Sequence, residues 1–253
     1  MSSAEDSVAA NVAQWTATNA EYTDGAAERS WRRDEITWGV FGIPDEWLGD
    51  VAGLDVVELG CGTAYFSSWL ARRGARPVGV DPTPAQLATA RRLQQETGVA
   101  FPLVEAPAEH VPLPDAAFDL ALTEYGASLW ADPQEWISEA ARLLRPGGRL
   151  LFLTNSMLAH LCTPDEDELP ITNRLVRPQF DQYRTKWPEY PGIEYHISHG
   201  TWIRILRENG FALDALHELR PPEHATSHEY YYVIPVEWAR RWPGEELWEA
   251  HRG

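Results

Sequence analysis

Cysteine, lysine, net positive charge and long apolar runs are all scarce in this chain, and each scarcity closes off a class of protein. Cys61 and Cys162 are the only cysteines; two are too few for a disulfide scaffold or a cysteine-built metal site, and no metal is expected. Of the 21 basic residues only Lys186 is a lysine, a bias that fits bacterial, high-GC codon usage. The formal charge of -17 argues against a protein that reads nucleic-acid backbones, whose affinity comes from clustered Lys and Arg. No run has the length and apolarity of a signal peptide or a membrane span, so a cytoplasmic protein without a membrane partner is expected. Internal repeats and low-complexity tracts are absent as well.

The 253 residues with 44% apolar content suffice for one large domain with a substantial core. Residues 5–38 mix Ala, Glu, Arg and Trp at spacings suited to one or two amphipathic helices, which Gly39 to Pro44 break. From Leu54 onward, apolar runs at 54–59, 76–80, 100–104, 118–123 and 149–155 read as buried strands. Residues 64–73, 84–96 and 133–144 read as the helices between them. This alternation predicts an α/β fold, Rossmann-like, with a mainly parallel sheet covered by helices on both faces. Residues 145–148, Arg-Pro-Gly-Gly, read as a turn. Residues 156–200 lose the rhythm, as a lid or binding insertion would. A helix ended by Gly210 follows, then strands at 211–219 and 229–236 that close a seven-stranded sheet. The expected organisation is one domain: an N-terminal helical cover (1–48), a core (49–155), the lid (156–200), and a C-terminal helix and strands (201–253).

The stretch Val56 to Leu70, VVELGCGTAYFSSWL, runs from strand through a small-residue turn into a helix. Gly60 and Gly62 let backbone N–H groups approach a ligand at a helix N-terminus. The dinucleotide fingerprint fails, because its third glycine position is Tyr65. Glu58, at the strand end, would repel a pyrophosphate but suits a cationic amino-acid group. Asp81 ends the next strand, where a carboxylate can take both hydroxyls of a ribose or cap a helix. Thr83 and Pro84 fit an N-cap and first helical position. A cationic ligand with a ribose and no pyrophosphate is implied.

Here the chain resembles the class I S-adenosylmethionine-dependent methyltransferases. The resemblance rests on four pieces in order: VVELGCGTA, with Ala64 for the third glycine of the family loop, VGVDPTPAQLATAR, AEHVPLPDAAFDLALTE and EAARLLRPGGRLLFLTN. It is strong over residues 50–155 and extends in outline to about 236. It implies S-adenosylmethionine as cofactor and S-adenosylhomocysteine as product. Gly60, Cys61 and Gly62 would line the methionine part, Asp81 would hold the ribose, and Pro82 and Gln86 would lie near the nucleoside. Ala108 and Glu109 would flank the adenine, with Pro107 where relatives often carry an acid. Glu124, at the end of the fourth strand, joins the cofactor set, and Tyr22 resembles an N-terminal tyrosine that closes over the cofactor.

The acceptor is expected to be a small molecule, possible in secondary metabolism, bound by residues outside the cofactor segments. Candidates are Trp31, Trp38, Tyr125, Trp130 and Tyr195, with Trp187 and Tyr190 of the insertion. The twelve tryptophans make either an aromatic acceptor pocket or ordinary packing of the N-terminal helices. His196 and His199 are candidate general bases, His196 by preference, because histidine titrates near pH 6.5. The alternatives are a methyltransferase acting on RNA or protein, and a non-catalytic S-adenosylmethionine-binding protein.

Overall fold

The computed structural model describes residues 4–166, 169–188, 191–227 and 233–253. Its centre is a seven-stranded sheet whose strand segments follow from β-branched and leucine-rich runs. They are β3 (Asp55–Leu59), β4 (Arg76–Asp81), β5 (Leu103–Glu105), β6 (Phe118–Glu124), β7 (Leu144–Asn155), β10 (Phe211–Glu218) and β11 (Glu245–Arg252). The order is β10-β11-β7-β6-β3-β4-β5. Strands β7, β6, β3, β4 and β5 run parallel, and β11 is antiparallel to both β7 and β10. Two short strands, β1 (Thr37–Trp38) and β2 (Ile43–Pro44), pair as a hairpin ahead of the sheet.

Successive residues of a strand point to opposite faces, which gives the sheet two cores. Val57, Leu59, Ala121, Leu150 and Phe152 pack on one face with Trp136, Trp202 and Trp248. Val56, Leu120, Leu122, Leu151 and Leu153 pack on the other with Trp38, Phe66 and Trp69. The covering helices are α3 (Tyr65–Arg72), α4 (Pro84–Thr97), α5 (Gly126–Trp130), α6 (Pro133–Leu143) and α8 (His199–Glu208). Local chemistry places their ends: Asp132 and Ser198 accept backbone N–H groups as N-caps of α6 and α8. Pro84 opens α4 and left-handed Gly98 closes it.

The N-terminal segment forms α1 (Ala4–Thr18) and α2 (Asp24–Trp31), joined by one π-helical turn, Asn19–Thr23. Asn11 fixes α1 by donating to the Trp130 and Ile193 carbonyls and accepting from the Ile193 N–H. Asn19 donates to Thr89 of α4 at 3.3 Å.

Three expectations are corrected. The closing strand is Glu245–Arg252, not 229–236. Residues 228–232 lie outside the described residues, 233–235 are not strand, and Val236–Ala239 form a short helix, α9. Three glutamates in EELWEAHR hid that strand, yet Glu245 and Glu246 are buried because Tyr125, Val40 and His199 donate to them. Arg-Pro-Gly-Gly at 145–148 is extruded within β7: the register advances from Leu144 to Arg149 while β6 advances from Phe118 to Leu120. The insertion carries α7 (Met157–Cys162) and a hairpin of β8 (Arg184–Lys186) and β9 (Ile193–Tyr195). Among the described residues no helix is long and apolar enough to cross a membrane.

Candidate functional site

The carboxyl ends of β3, β4 and β6 open into a cavity of about 190 Å³. Its floor is the turn between β3 and α3, where Gly60, Gly62 and Ala64 all have positive φ. The turn is pinned by the Cys61 N–H to the Val80 carbonyl at 2.9 Å and the Ala64 N–H to the Cys61 carbonyl at 2.8 Å. A Cβ on Gly60 would stand 2.6 Å from the Ala127 nitrogen, so only glycine lets the start of α5 close over the turn.

Asp81 is buried at the end of β4. Its two carboxylate oxygens accept the Gly62 and Thr83 N–H groups, each at 2.8 Å. The Thr83 side chain also bonds the carboxylate, which still leaves it room for a further donor. Burial raises the Asp81 carboxyl above the usual range, against the opposing pull of these hydrogen bonds.

Glu58, Glu109 and Glu124 line the same cavity, and no Lys, Arg or His is among its described lining residues. Burial raises all three carboxyls. Four acidic side chains without a basic one suit a cationic ligand, whose charge favours their ionised forms, and offer no counter-charge to a phosphate. Glu58 accepts the Ser67 N–H at 2.8 Å and the Ser67 hydroxyl at 2.5 Å. Glu109 accepts the Asp132 N–H at 3.1 Å. Burial also pushes the Cys61 thiol up, which keeps it protonated.

Burial pushes Glu58 up to about 8 from an ordinary 4.5. The folded protein then holds that proton more tightly than the unfolded chain does. The stability it contributes is complete below the unfolded value and is lost as pH rises toward the folded one. In the ligand-free protein, Glu58→Gln is therefore expected to gain stability relative to wild type between about pH 5 and 8, read by urea unfolding. Glu245, pushed to about 7 by burial, leaves the variant part of the slope. A difference that stays constant with pH would rule this account out.

Twelve of the residues singled out in the sequence line the cavity: Glu58, Gly60, Cys61, Gly62, Asp81, Pro82, Gln86, Ala108, Glu109, Glu124, Tyr125 and Trp130. Tyr22 lines a second cavity of about 590 Å³, walled also by Ser30, Arg33, Thr37 and Phe41. The two cavities share Thr23, Thr63, Tyr65, Glu124 and Tyr125.

The remaining candidates line neither described cavity. Trp31 is buried behind the glycine turn, donating to the Thr63 carbonyl at 2.8 Å and stacking on Phe101. Trp38 is fully buried and donates to Asp45. Tyr195 is buried against Ser7, whose hydroxyl lies 2.8 Å from its own. His196 is buried, 2.7 Å from Glu194 and stacked on His160 at 3.9 Å. His199 bonds Glu246 at 2.9 Å. Neither histidine lines a described cavity. Trp187 donates to Glu194, beside His196, and Tyr190 lies outside the described residues.

Sequence reasoning missed Val8, Asn11 and Trp15 of α1, and Tyr65. Tyr65 was visible as the large residue standing where the dinucleotide fingerprint wants glycine. No local pattern marks the α1 residues, which reach the site only by packing.

A parallel sheet with a glycine turn at one strand end and a buried carboxylate at the next is a Rossmann-like arrangement. Residues 57–152 match the family model described as a methyltransferase domain. An uncharacterized methyltransferase of Mycobacterium bovis is 32% identical over 158 residues, 57% of this chain and 62% of the relative. Demethylmenaquinone methyltransferase of Thermus thermophilus is 33% identical over 129 residues, 50% of this chain and 54% of the relative. The chain thus matches less than two thirds of either relative's length. An S-adenosylmethionine-dependent methyltransferase from Mesorhizobium loti shares the fold, with a TM-score of 0.63 at 24% identity over 92% of this chain and 99% of that one. So does the Burkholderia thailandensis 1,6-didemethyltoxoflavin-N1-methyltransferase, TM-score 0.62 at 15% identity over 100% and 91%.

Proposed function

We propose that this protein transfers a methyl group from S-adenosylmethionine to a small-molecule acceptor. The observation that carries the reading is the first cavity, built on a glycine turn and lined by four carboxylates with no basic side chain. Bound there, the cofactor supplies an electrophilic methyl on a sulfonium. Asp81 would accept from the ribose hydroxyls with the lone pairs its backbone partners leave free. Glu58 would face the amino group, and the Gly60, Cys61 and Gly62 backbone the methionine part. Pro82 and Gln86 would border the nucleoside, with Ala108 and Glu109 at the adenine.

The second cavity would hold the acceptor, with Tyr22 in its wall, Trp130 in the wall of the first and Tyr125 bordering both. The N-terminal helices and the 156–200 insertion would form the cover, since Asn11 already ties α1 to Trp130 and Ile193. Orienting an acceptor against the methyl group in such an enclosure can supply several kcal/mol of the barrier reduction. The chain's relatives include methyltransferases named for menaquinone and ubiquinone biosynthesis, which supports a small acceptor, and the charge of -17 disfavours RNA.

Calorimetry with S-adenosylmethionine and S-adenosylhomocysteine tests the reading. Saturable binding of both in competition is expected, followed by S-adenosylhomocysteine formation with an acceptor. A folded protein that binds neither would overturn it; binding with no turnover on any acceptor would mark a non-catalytic binder.

A further inference from the structure

Where the two cavities meet, Tyr65 and Glu124 both face the boundary. Tyr65 is the first residue of α3, and its ring is braced by Trp69 at 5.1 Å. Its hydroxyl donates to Glu124 Oε2. The Gly39 N–H, from the β1–β2 hairpin, donates to Glu124 Oε1 at 2.9 Å, so one oxygen is anchored and the other is turned to the phenol. Tyr125 makes a similar bond to Glu245, but Glu245 lines neither cavity, whereas both members of the Tyr65 pair do. His196 and His199 line neither cavity and His224 lines only the second, so the junction itself holds this phenol and carboxylate.

We propose that Tyr65 and Glu124 form the proton-accepting pair for the acceptor, and that the acceptor is a small molecule with a weakly acidic hydroxyl, a phenol or enol, seated in the second cavity. The inference rests on the methyltransferase reading above. In the transfer step the acceptor oxygen forms its bond to the methyl carbon as the S–CH3 bond breaks and that electron pair returns to sulfur. The acceptor's proton passes to the Tyr65 oxygen while the Tyr65 proton passes to Glu124, leaving a neutral carboxylic acid that later gives its proton to water. Burial raises the Glu124 carboxyl, which strengthens it as a base toward a weak acid. The wall of the second cavity mixes rings and hydroxyls, Tyr22, Phe41, Ser30 and Thr37 among them, as a flat hydroxylated molecule requires.

The test compares wild type with Tyr65→Phe and Glu124→Gln, and uses catechol and 4-nitrocatechol as probes. Calorimetry with S-adenosylhomocysteine comes first; all three proteins are expected to bind it, which shows they are folded. In the S-adenosylhomocysteine complex, below the free pKa of 4-nitrocatechol, wild type should bind that probe in its coloured, ionised form and both variants should bind it protonated. With S-adenosylmethionine, catechol methylation should fall about 100-fold or more in kcat, with KM for catechol kept. At a pH where 4-nitrocatechol is already ionised, its methylation should lose far less, because it needs no base; a merely structural defect would slow both probes alike. The proposal is overturned if neither probe binds the S-adenosylhomocysteine complex. It is equally overturned if the ionisation or the catechol rate is the same in all three proteins, or if the loss appears in Tyr125→Phe instead. Absence of S-adenosylhomocysteine binding to folded wild type overturns the methyltransferase reading itself, and this inference with it.

Discussion

Asp81→Ala is expected to weaken S-adenosylhomocysteine binding by roughly 1.5–3 kcal/mol, about 10- to 150-fold. The carboxylate is buried and anchored by two backbone N–H groups, so it cannot swing away and costs no reordering when a diol arrives. Removing it takes away charge-assisted hydrogen bonds to the ribose and strands the Gly62 and Thr83 N–H groups in a buried place. The turn would then loosen as well. Asp81→Asn separates the two effects: its amide oxygen can still accept one backbone N–H, so the fold should be kept while the charge is lost. Calorimetry on both variants, with folding checked by thermal melting, reads the outcome. A folded Asp81→Asn protein that binds as tightly as wild type would remove Asp81 from the cofactor site.

Gly126→Ala should have the larger consequence, loss of measurable cofactor binding together with a destabilisation of about 1–3 kcal/mol or more. The new Cβ would lie 2.1 Å from the Gly60 oxygen and 2.8 Å from the Leu59 oxygen. Both are backbone atoms of the strand end and the glycine turn, and neither can retreat as a side chain would. Relief requires α5 to back away from the turn, which opens the cradle. Gly25→Ala is the contrast. Nothing lies within 4 Å of the methyl it would add, and its φ is not positive, so a gain of up to about 1 kcal/mol from helix propensity is expected, with binding unchanged. Denaturant unfolding beside calorimetry separates the two; normal binding by Gly126→Ala would show that α5 does not form part of the cradle.

The parts of the site built by short, contiguous chemistry were legible in the sequence. Asp81 ends a strand, Gly60 and Gly62 follow one, and the ligand class follows from a carboxylate, a glycine turn and another carboxylate at fixed intervals. Such features are local because backbone turns and strand ends are decided within a few residues. The alternating apolar runs likewise fixed the parallel half of the sheet, since burial on both faces demands continuous Val, Leu and Ala.

What the sequence alone did not decide depends on partners far along the chain. Strand β11 was hidden because Glu245 and Glu246 look exposed until remote segments bond them, Tyr125 and Val40 at one Glu245 oxygen and His199 at Glu246. The histidines suggested a base by residue type, but Glu194 and Glu246 hold them away from the cavities. Tyr65 spoiled a glycine motif in the sequence, and only the approach of Glu124 from β6 and Gly39 from the hairpin places it at the junction of the two cavities. The sequence by itself determined the glycine turn, the carboxylate at the next strand end and the class of fold, because strand ends and tight turns are set by neighbouring residues. The tertiary structure decided which acids are buried, which rings lie outside the two cavities and which hydroxyl stands where those cavities meet, because burial and hydrogen bonding are completed by segments the local sequence cannot see.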